Sequence, residues 1–300
     1  MEDCVIVGGG FAGTSCALVL ARHRWKVLMV DGGPPRNFAS HCVNGFIGHQ
    51  GAKPLAILER AHSEAIAAGA RIQRGVVENV TGSNDRFEVT VAGRGVSSRR
   101  IVLAYGVRDE IPEISGLRQL LGNGVHHCPT CDGPDVSGDH AIALGPAGRA
   151  AGLALELLQW AARVTLITHG EPFDVAPDVR KKMAEHPIDV ITHRVERVKR
   201  GSGSALSVAL ESGTTLEARA LFFTYGTVRN SAIAESLGCA LNAATDTISV
   251  DEHLASSVPG VYAIGDLIAG PQLVIRAAAD GAHAALSIHK SLLPMNRSVG

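Results

Sequence analysis

An α/β fold with two nucleotide-binding domains is the class that the sequence predicts. Residues 4–31 and 140–169 each read as a buried strand, a glycine turn, an apolar helix and a second strand. Residues 258–289 give a short strand, a Gly-Asp pair, a Pro-Gly loop and an Ala-rich helix. The 34 glycines and the 4% aromatic content fit a chain with many tight strand-to-helix turns. This alternation is typical of Rossmann-like, doubly wound α/β domains.

The composition excludes several classes of function. A chain of 300 residues is long enough for two domains with full cores. Its formal net charge of -1 lacks the basic excess of a nucleic-acid binder. No stretch reaches about 18 apolar residues, and the start MEDCVIVGGG lacks the basic region of a signal peptide. We therefore expect a cytoplasmic protein with no membrane and no nucleic-acid partner.

The glycines near the N-terminus form a dinucleotide-binding fingerprint. The first of three spaced glycines permits a tight turn, the second lets the backbone approach a pyrophosphate, and the third lets the helix pack on the strand. The N–H groups at the start of the helix favour the same anion. The residues of this turn expected to form the cofactor site are Gly8, Gly10, Phe11, Ala12 and Gly13.

The next strand, KVLMVDGG, carries the second part of the fingerprint. It ends in Asp31, followed by Gly32, at roughly the 20-residue distance at which an acid accepts hydrogen bonds from a ribose 2′-OH. An acid here disfavours a 2′-phosphate, so the site suits FAD or NAD. A tight turn without a ligand is the alternative.

The second glycine turn, GPAGRAA from residue 145, departs from this pattern. Ala147 stands where the middle glycine usually lies, and its methyl group crowds a pyrophosphate, although Gly148 restores some room. The following strand ends in Thr168-His169-Gly170, with neither an acid for a 2′-OH nor an arginine pair for a 2′-phosphate. Two interpretations stay open, a scaffold without a ligand and a site for NADPH or NADH. If a nicotinamide nucleotide binds here, the expected contacts are Gly145, Gly148, Arg149 and Ala150.

The stretch HHCPTCDG, residues 126–133, allows three interpretations of Cys128 and Cys131. A structural zinc site needs four ligands, and the other four cysteines offer no second pair, so we expect no metal. A structural turn with two small thiols is the second interpretation. A redox pair explains more, because backbone N–H groups at a helix start stabilise a thiolate and Pro129 costs no helical hydrogen bond there. One thiol would exchange with a partner's disulfide and the other would resolve it.

The neighbours of the two cysteines suggest proton chemistry. Asp132 is placed to shuttle a proton as thiols form or leave. An imidazolium at His126 or His127 would lower the pKa of Cys128, and we take His127 as the candidate. A pair of exposed polar residues at a hinge is the alternative.

Residues 258–289 have features that suit binding of the polyol chain and the ring of a flavin. Asp266, after Gly265 at a strand end, can accept a hydrogen bond from a polyol hydroxyl. A helix N-terminus that faces the pyrimidine edge of a flavin stabilises negative charge on the reduced ring.

The order of these motifs resembles one family. GxGxxG, AYG at 104–106, CxxCD, a second glycine turn and GD before an Ala-rich helix resemble the pyridine nucleotide-disulfide oxidoreductases of the low-molecular-weight thioredoxin reductase type, class II. The resemblance covers nearly the whole chain. PPRN at 34–37, the LITHG strand end and the altered glycine turn look like a divergent subgroup that includes dithiol oxidases.

The resemblance implies an organisation and a set of contacts. The FAD-binding domain would comprise residues 1–115 and 245–300, with an NAD(P)H-binding-like domain inserted at 116–244, and two copies would form a homodimer. Both domains would be Rossmann-like, doubly wound and three-layered (ββα). Cys131 would lie nearer the flavin and Cys128 would meet the substrate. Further FAD contacts would be Arg36, Asn37, Asn44, Gly48, Val77, Ala104, Tyr105, Gly106, Gln272, Leu273 and Val274, with Asp31 at the adenosine ribose and Asp266 at the ribitol.

The predicted function is that of an FAD-dependent disulfide oxidoreductase. Electrons would pass from NADPH or NADH through FAD to a Cys128–Cys131 disulfide, and then to a thioredoxin-like protein or a small-molecule disulfide. One alternative is a dithiol oxidase that uses FAD and O2 without a nicotinamide. Another is a reductase fed by ferredoxin or a different protein donor. A redox-sensing regulator has little support, since no DNA- or partner-binding motif is visible.

Overall fold

The computed structural model describes residues 1–203, 205–294 and 296. The strands are β1 Glu2–Val7, β2 Val27–Asp31, β3 Arg71–Arg74, β4 Val77–Ser83, β5 Arg86–Val91, β6 Arg94–Leu103, β7 Val107–Asp109, β8 Val125–His126, β9 His140–Leu144, β10 Arg163–Ile167, β11 Ile188–Ile191, β12 Val195–Arg200, β13 Leu206–Leu210, β14 Thr215–Ala218, β15 Ala220–Phe223, β16 Thr227–Arg229, β17 Leu241–Asn242, β18 Thr247–Ile248 and β19 Val261–Ala263. The helices are α1 Phe11–Arg22, α2 Pro54–Ala67, α3 Pro129–Asp132, α4 Ala147–Leu157, α5 Pro177–Ala184, α6 Ile233–Ser236 and α7 Val274–Leu292. Among the described residues, no helix combines the length and apolarity needed to cross a membrane.

The chain divides into two compact units. Unit 1 comprises residues 1–38, 45–108 and those from 228 onward, and unit 2 comprises residues 39–44 and 109–227. The units therefore change over at 108/109 and 227/228. The predicted domain limits at 115/116 and 244/245 remain a proposal.

Unit 1 is built on a seven-stranded sheet of order β3-β2-β1-β6-β5-β4, with β19 also paired to β6. Strands β3, β2, β1, β6 and β19 run parallel, whereas β4, β5 and β6 form antiparallel pairs. One edge of β6 pairs with β1, and its other edge is shared by β5 and then β19. The parallel strands consequently end at one edge of the sheet, where loops bind ligands in open α/β folds.

The helices α1 and α7 of unit 1 pack with their backbones in contact. A Cβ atom added at Gly281 would lie 2.1 Å from the carbonyl oxygen of Ala12. Ser15 in α1 donates a hydrogen bond to the carbonyl of Ala278 at 2.7 Å. This close contact fixes the start of α7 beside the start of α1.

Unit 2 is built on a five-stranded parallel sheet of order β11-β10-β9-β15-β8, with a separate antiparallel sheet β12-β13-β14. Successive side chains of a strand point to opposite faces. Phe222 in β15 belongs to a core with α4, and Phe223 belongs to a core with β12–β14. Both faces are covered, so all four residues of β15 are buried.

Candidate active site

The N-terminal glycine turn has the geometry that the fingerprint predicts. Gly8 has a φ of +116°, and a Cβ atom there would lie 2.3 Å from the carbonyl oxygen of Ala104. A Cβ atom at Gly13 would lie 2.0 Å from the carbonyl oxygen of Gly8. At Gly10, by contrast, an added Cβ atom meets no heavy atom of the described residues within 4 Å. The first and third glycines are thus required by internal packing, while the space at Gly10 fits a pyrophosphate.

Asp31 lies beneath this turn at the end of β2. Its side chain is 2% exposed, and a Cβ atom at Gly9 would lie 2.5 Å from its Cγ atom. Oδ1 accepts a hydrogen bond from the Gly33 N–H at 3.0 Å, and Oδ2 accepts one from Arg74 Nη1 at 2.5 Å. A carboxylate can accept about four hydrogen bonds, so these two leave room for a ribose hydroxyl.

Three other predicted flavin contacts meet one another in unit 1. Arg36 Nη1 donates to Asp266 Oδ2 at 3.0 Å and to Gln272 Oε1 at 2.7 Å. The segment after β2 is thereby tied to the Gly-Asp turn and to the residues before α7. Asp266 is 21% exposed in this arrangement, so its carboxylate remains accessible.

The remaining predicted flavin residues occupy strand ends, helix starts and one connecting segment. The buried hydroxyl of Tyr105 has a pKa raised to about 12 by burial. Leu273 is the N-cap residue of α7. Phe11 and Ala12 begin α1, Gly32 follows β2, Asn37 and Gly48 lie between β2 and α2, Val77 begins β4, Ala104 and Gly106 follow β6, Gly265 follows β19, and Val274 begins α7.

Asp280 is a carboxylate of unit 1 that the sequence interpretation missed. It lies in α7 directly before the contact glycine Gly281, and burial raises its pKa. The Gly265 N–H donates to this carboxylate, and Arg276 Nε lies 3.6 Å from Oδ2. Asp280 therefore stabilises the Gly265-Asp266 turn by accepting a hydrogen bond from its backbone. An acid within an otherwise Ala-rich helix is the sequence signal that could have indicated it.

Cys128 and Cys131 are joined by a disulfide in unit 2. Cys128 is the N-cap residue of α3, Pro129 is the first helical residue, and the Cys131 N–H donates to Cys128 Sγ at 3.1 Å. Both cysteines are partly exposed. The helix start that the sequence predicted for the pair is present, and the pairing as a disulfide is confirmed.

His126 is the last residue of β8 and His127 directly follows it, and the two side chains have different neighbours. His126 Nδ1 is 3.3 Å from Asp132 Oδ2, and its ring lies 5.3 Å from that of Phe222. His127 Nδ1 is 3.8 Å from Asp109 Oδ2, and its ring lies 6.3 Å from that of Phe223. The histidine in contact with Asp132 is therefore His126. The role expected of His127, lowering the pKa of Cys128, stays a prediction. Successive side chains of an extended segment point to opposite sides, which is the signal that could separate the two neighbours.

Asn44 binds the CxxC helix. Its Nδ2 donates to the Cys131 carbonyl at 2.9 Å, and both residues belong to unit 2. Cys42 Sγ lies 3.7 Å from Asn44 Oδ1, and burial, with Asp132 and Asp135 adding to it, raises the pKa of the Cys42 thiol. A protonated thiol is a poor nucleophile, so we expect Cys42 to react more slowly than an unperturbed thiol.

The second glycine turn is also formed, at the start of α4. A Cβ atom at Gly145 would lie 2.8 Å from the Thr224 carbonyl oxygen, and one at Gly148 would meet no described atom within 4 Å. Arg149 Nη1 lies 2.7 Å from the Cβ position of Gly226. Ala150 follows in the first turn of α4, where no described side chain caps the helix. Free N–H groups and a guanidinium are thus available to an anion.

Arg194 is a cation at the end of β10 that the sequence interpretation missed. A Cβ atom at Gly170 would lie 2.9 Å from Arg194 Nε, and the Val195 N–H donates to His169 Nδ1 at 3.0 Å. Burial, together with the charge of Arg194, lowers the pKa of His169. Arg194 follows β11, which pairs in parallel with β10, so the ends of the two strands are neighbours. This strand pairing brings Arg194 next to Thr168-His169-Gly170 at the end of β10, although the two segments are distant in sequence.

Two α/β units, one with a dinucleotide turn and one with a CxxC disulfide, define a thioredoxin reductase-like oxidoreductase. The family model described as pyridine nucleotide-disulphide oxidoreductase matches residues 2–281, and the chain belongs to this family. A thioredoxin reductase of Treponema pallidum (strain Nichols) is 30% identical, over 94% of this chain and 94% of the relative.

Solved structures agree with this assignment. The crystal structure of HlmI is 34% identical with a TM-score of 0.90, and covers 97% of this chain and 92% of its own. An oxidoreductase from Agrobacterium tumefaciens is 31% identical with a TM-score of 0.88, and covers 97% of this chain and 98% of its own. The resemblance, the α/β class with an inserted second Rossmann-like domain, and the enzyme class are confirmed. The family implies that FAD and a pyridine nucleotide bind.

Proposed function

We propose that this protein is an NADPH-fed, FAD-dependent reductase of a thioredoxin-like protein or of a small-molecule disulfide. The observation that carries this proposal is the Cys128–Cys131 disulfide at the start of α3, with Asp132 directly after it. A disulfide that is partly exposed and next to a carboxylate suits thiol–disulfide exchange. We also propose a homodimer, on the family resemblance.

Residues of unit 1 would hold the flavin. The pyrophosphate would lie at Gly10 and the start of α1, the adenosine ribose at Asp31, and the ribitol at Asp266. Bound FAD supplies two-electron transfer between a nicotinamide and a disulfide.

Residues of unit 2 would perform the exchange with the substrate. After reduction, the Cys131 N–H that now contacts Cys128 Sγ would stabilise a thiolate on Cys128. Cys128 would attack the substrate, Cys131 would resolve the mixed disulfide, and Asp132 would carry the proton. Asn44, through the Cys131 carbonyl, would hold α3 in place.

Arg194 supports NADPH rather than NADH as the donor. Its guanidinium lies at the strand end where Rossmann folds read the 2′ position, and an arginine there accommodates a 2′-phosphate. Replacing Arg194 by Ala should reduce kcat/KM for NADPH by about 10- to 100-fold, as expected for one charge-assisted hydrogen bond. The value for NADH should change by less than about 2-fold, because NADH lacks the phosphate.

Lys199→Ala is the matched control for this prediction. Lys199 lines the same groove as Arg194 but lies farther along β12. It should leave the ratio of the two kcat/KM values unchanged. Equal losses with NADPH and NADH in Arg194→Ala would show that Arg194 does not read the phosphate.

Anaerobic titration of the purified holoenzyme tests the proposed function. NADPH should bleach the flavin absorbance, and a disulfide substrate should then restore it without oxygen. Bleaching by small dithiols alone, with recovery on adding O2, would overturn the proposal in favour of a dithiol oxidase. Ala147 at the middle-glycine position is the observation that favours that alternative. Bleaching by reduced ferredoxin alone would assign a protein donor.

A further inference from the structure

His126 is the imidazole that meets the proposed proton-carrying group of the CxxC site. Its Nδ1 atom lies 3.3 Å from Asp132 Oδ2, and the two side chains are only 12% and 16% exposed. The face of the His126 ring lies toward Phe222, with a centroid distance of 5.3 Å and an interplanar angle of 32°. An imidazole and a carboxylate that lie this close and largely out of water can pass a proton directly from one to the other.

We infer that His126 is a positioning residue that holds Asp132 and exchanges with it the proton used in thiol–disulfide exchange. This inference rests on the proposed function, because it assigns a role within the same site. His126 itself need not touch either sulfur atom. Its effect on the substrate passes through the carboxyl group of Asp132.

Several charged and titratable groups lie near the His126–Asp132 pair. Cys42 of the 39–44 segment lies near both Asp132 and Asp135, because both carboxylates raise the pKa of its thiol. Phe222 covers the imidazole from β15, which carries no charged residue. His127, directly after β8, lies beside a different carboxylate, with Nδ1 3.8 Å from Asp109 Oδ2. His253, an exposed histidine of unit 1 whose Nε2 lies 3.9 Å from Glu252 Oε1, is the control for His126.

The proton balance of the exchange requires one group that gives a proton and later takes it back. In the first step the Cys128 thiolate attacks the substrate disulfide, a Cys128–substrate disulfide forms, and the departing thiolate receives the proton of the Asp132–His126 pair. In the second step the Cys131 thiol returns a proton to the pair and its thiolate attacks Cys128 Sγ. The Cys128–Cys131 disulfide reforms, the second substrate sulfur leaves as a thiolate, and the substrate has gained two electrons.

A pH profile of disulfide reduction by the holoenzyme tests the inference with two matched variants. His126→Gln should lower kcat by about 10-fold, since a positioned acid–base group contributes at least that much. It should also shift or remove one inflection of the kcat–pH profile, because glutamine cannot accept the proton. His253→Gln should change kcat by less than about 2-fold and keep the profile of the unmodified enzyme. Flavin reduction by NADPH should be unaffected in both variants.

A double-mutant cycle with Asp132→Asn separates positioning from a structural effect. If His126 acts through Asp132, the His126→Gln change should cost almost nothing further in the Asp132→Asn background. Losses that multiply in the double variant would overturn the inference. An unchanged kcat–pH profile in His126→Gln would overturn it as well.

A second measurement covers the cases in which His126→Gln does not fold or the enzyme reduces no disulfide. If His126→Gln does not fold, histidine-ring NMR of the unmodified and Asp132→Asn enzymes replaces it. The ring resonances of one of the 13 histidines should move when the carboxylate is replaced. No such change would refute the pairing. If the unmodified enzyme reduces no disulfide with any donor, the proposed function fails, and the NMR comparison still decides whether His126 and Asp132 share a proton.

Discussion

Replacing either Cys128 or Cys131 by Ser is expected to lower disulfide reduction by at least about a thousandfold, because the covalent step has no substitute. The two sulfurs are bonded to each other at the start of α3. Flavin reduction by NADPH should remain, since neither sulfur takes part in it. The measurement is the steady-state rate of disulfide reduction beside the rate of anaerobic flavin bleaching.

The two serine variants should differ in what they trap. Cys131→Ser leaves Cys128 able to attack the substrate but without a resolving thiol, so a stable mixed disulfide should accumulate and appear by mass spectrometry. Cys128→Ser should give no such adduct if Cys128 is the attacking thiol. An adduct in Cys128→Ser and none in Cys131→Ser would reverse the two roles.

Cys42→Ser is the control for these variants. Cys42 lies next to the CxxC helix through Asn44, yet burial and two carboxylates raise its pKa. It should therefore keep the activity of the unmodified enzyme within about 2-fold. A loss in Cys42→Ser as large as in the CxxC variants would show that a third thiol takes part.

The structure could be predicted best at positions where a single steric requirement selects one residue type. The roles expected of Gly8 and Gly13 follow from steric limits alone, and the distances to Ala104 and Gly8 show both limits. The same holds for Pro129, whose missing N–H costs nothing at the first helical position. Such features can be predicted because the interaction is local or lies between adjacent elements.

Residues that meet only through sheet order were not predicted. Arg194 reaches the end of β10 because β11 is its parallel neighbour, and a single sequence does not show strand order. A single sequence also does not show which of the two histidines lies beside Asp132, and in the structure it is His126. Asn44, placed at the flavin by resemblance, donates to the Cys131 carbonyl of the CxxC helix. Whether it also borders the flavin remains a proposal.

Replacing Gly13 by Ala is expected to destabilise the protein itself, with or without cofactor. The new methyl group would lie 2.0 Å from the carbonyl oxygen of Gly8, so α1 would have to move away from β1. Overpacking of this kind costs about 1–3 kcal/mol. The free energy of unfolding of the FAD-free chain in denaturant is the measurement, with helix content as a check on folding.

Gly10→Ala provides the matched comparison, because it changes the same turn without an internal contact. Gly10 has a φ of -72°, which alanine adopts readily, and no described atom lies within 4 Å of the new methyl group. The free energy of unfolding of the FAD-free chain should therefore change by less than about 0.5 kcal/mol. The affinity for FAD should nevertheless fall by about 10-fold or more, since a methyl group at Gly10 would occupy the space proposed for the pyrophosphate.

The two variants together separate packing from cofactor binding. Gly13→Ala should lose stability in the FAD-free chain, whereas Gly10→Ala should lose only the stabilisation that bound FAD adds to the native state. An unchanged FAD affinity in Gly10→Ala would mean that the pyrophosphate lies elsewhere. A large destabilisation of FAD-free Gly10→Ala would mean instead that the turn is packed more tightly than its open side indicates. Only the predicted pair of results assigns Gly13 to the fold and Gly10 to the cofactor.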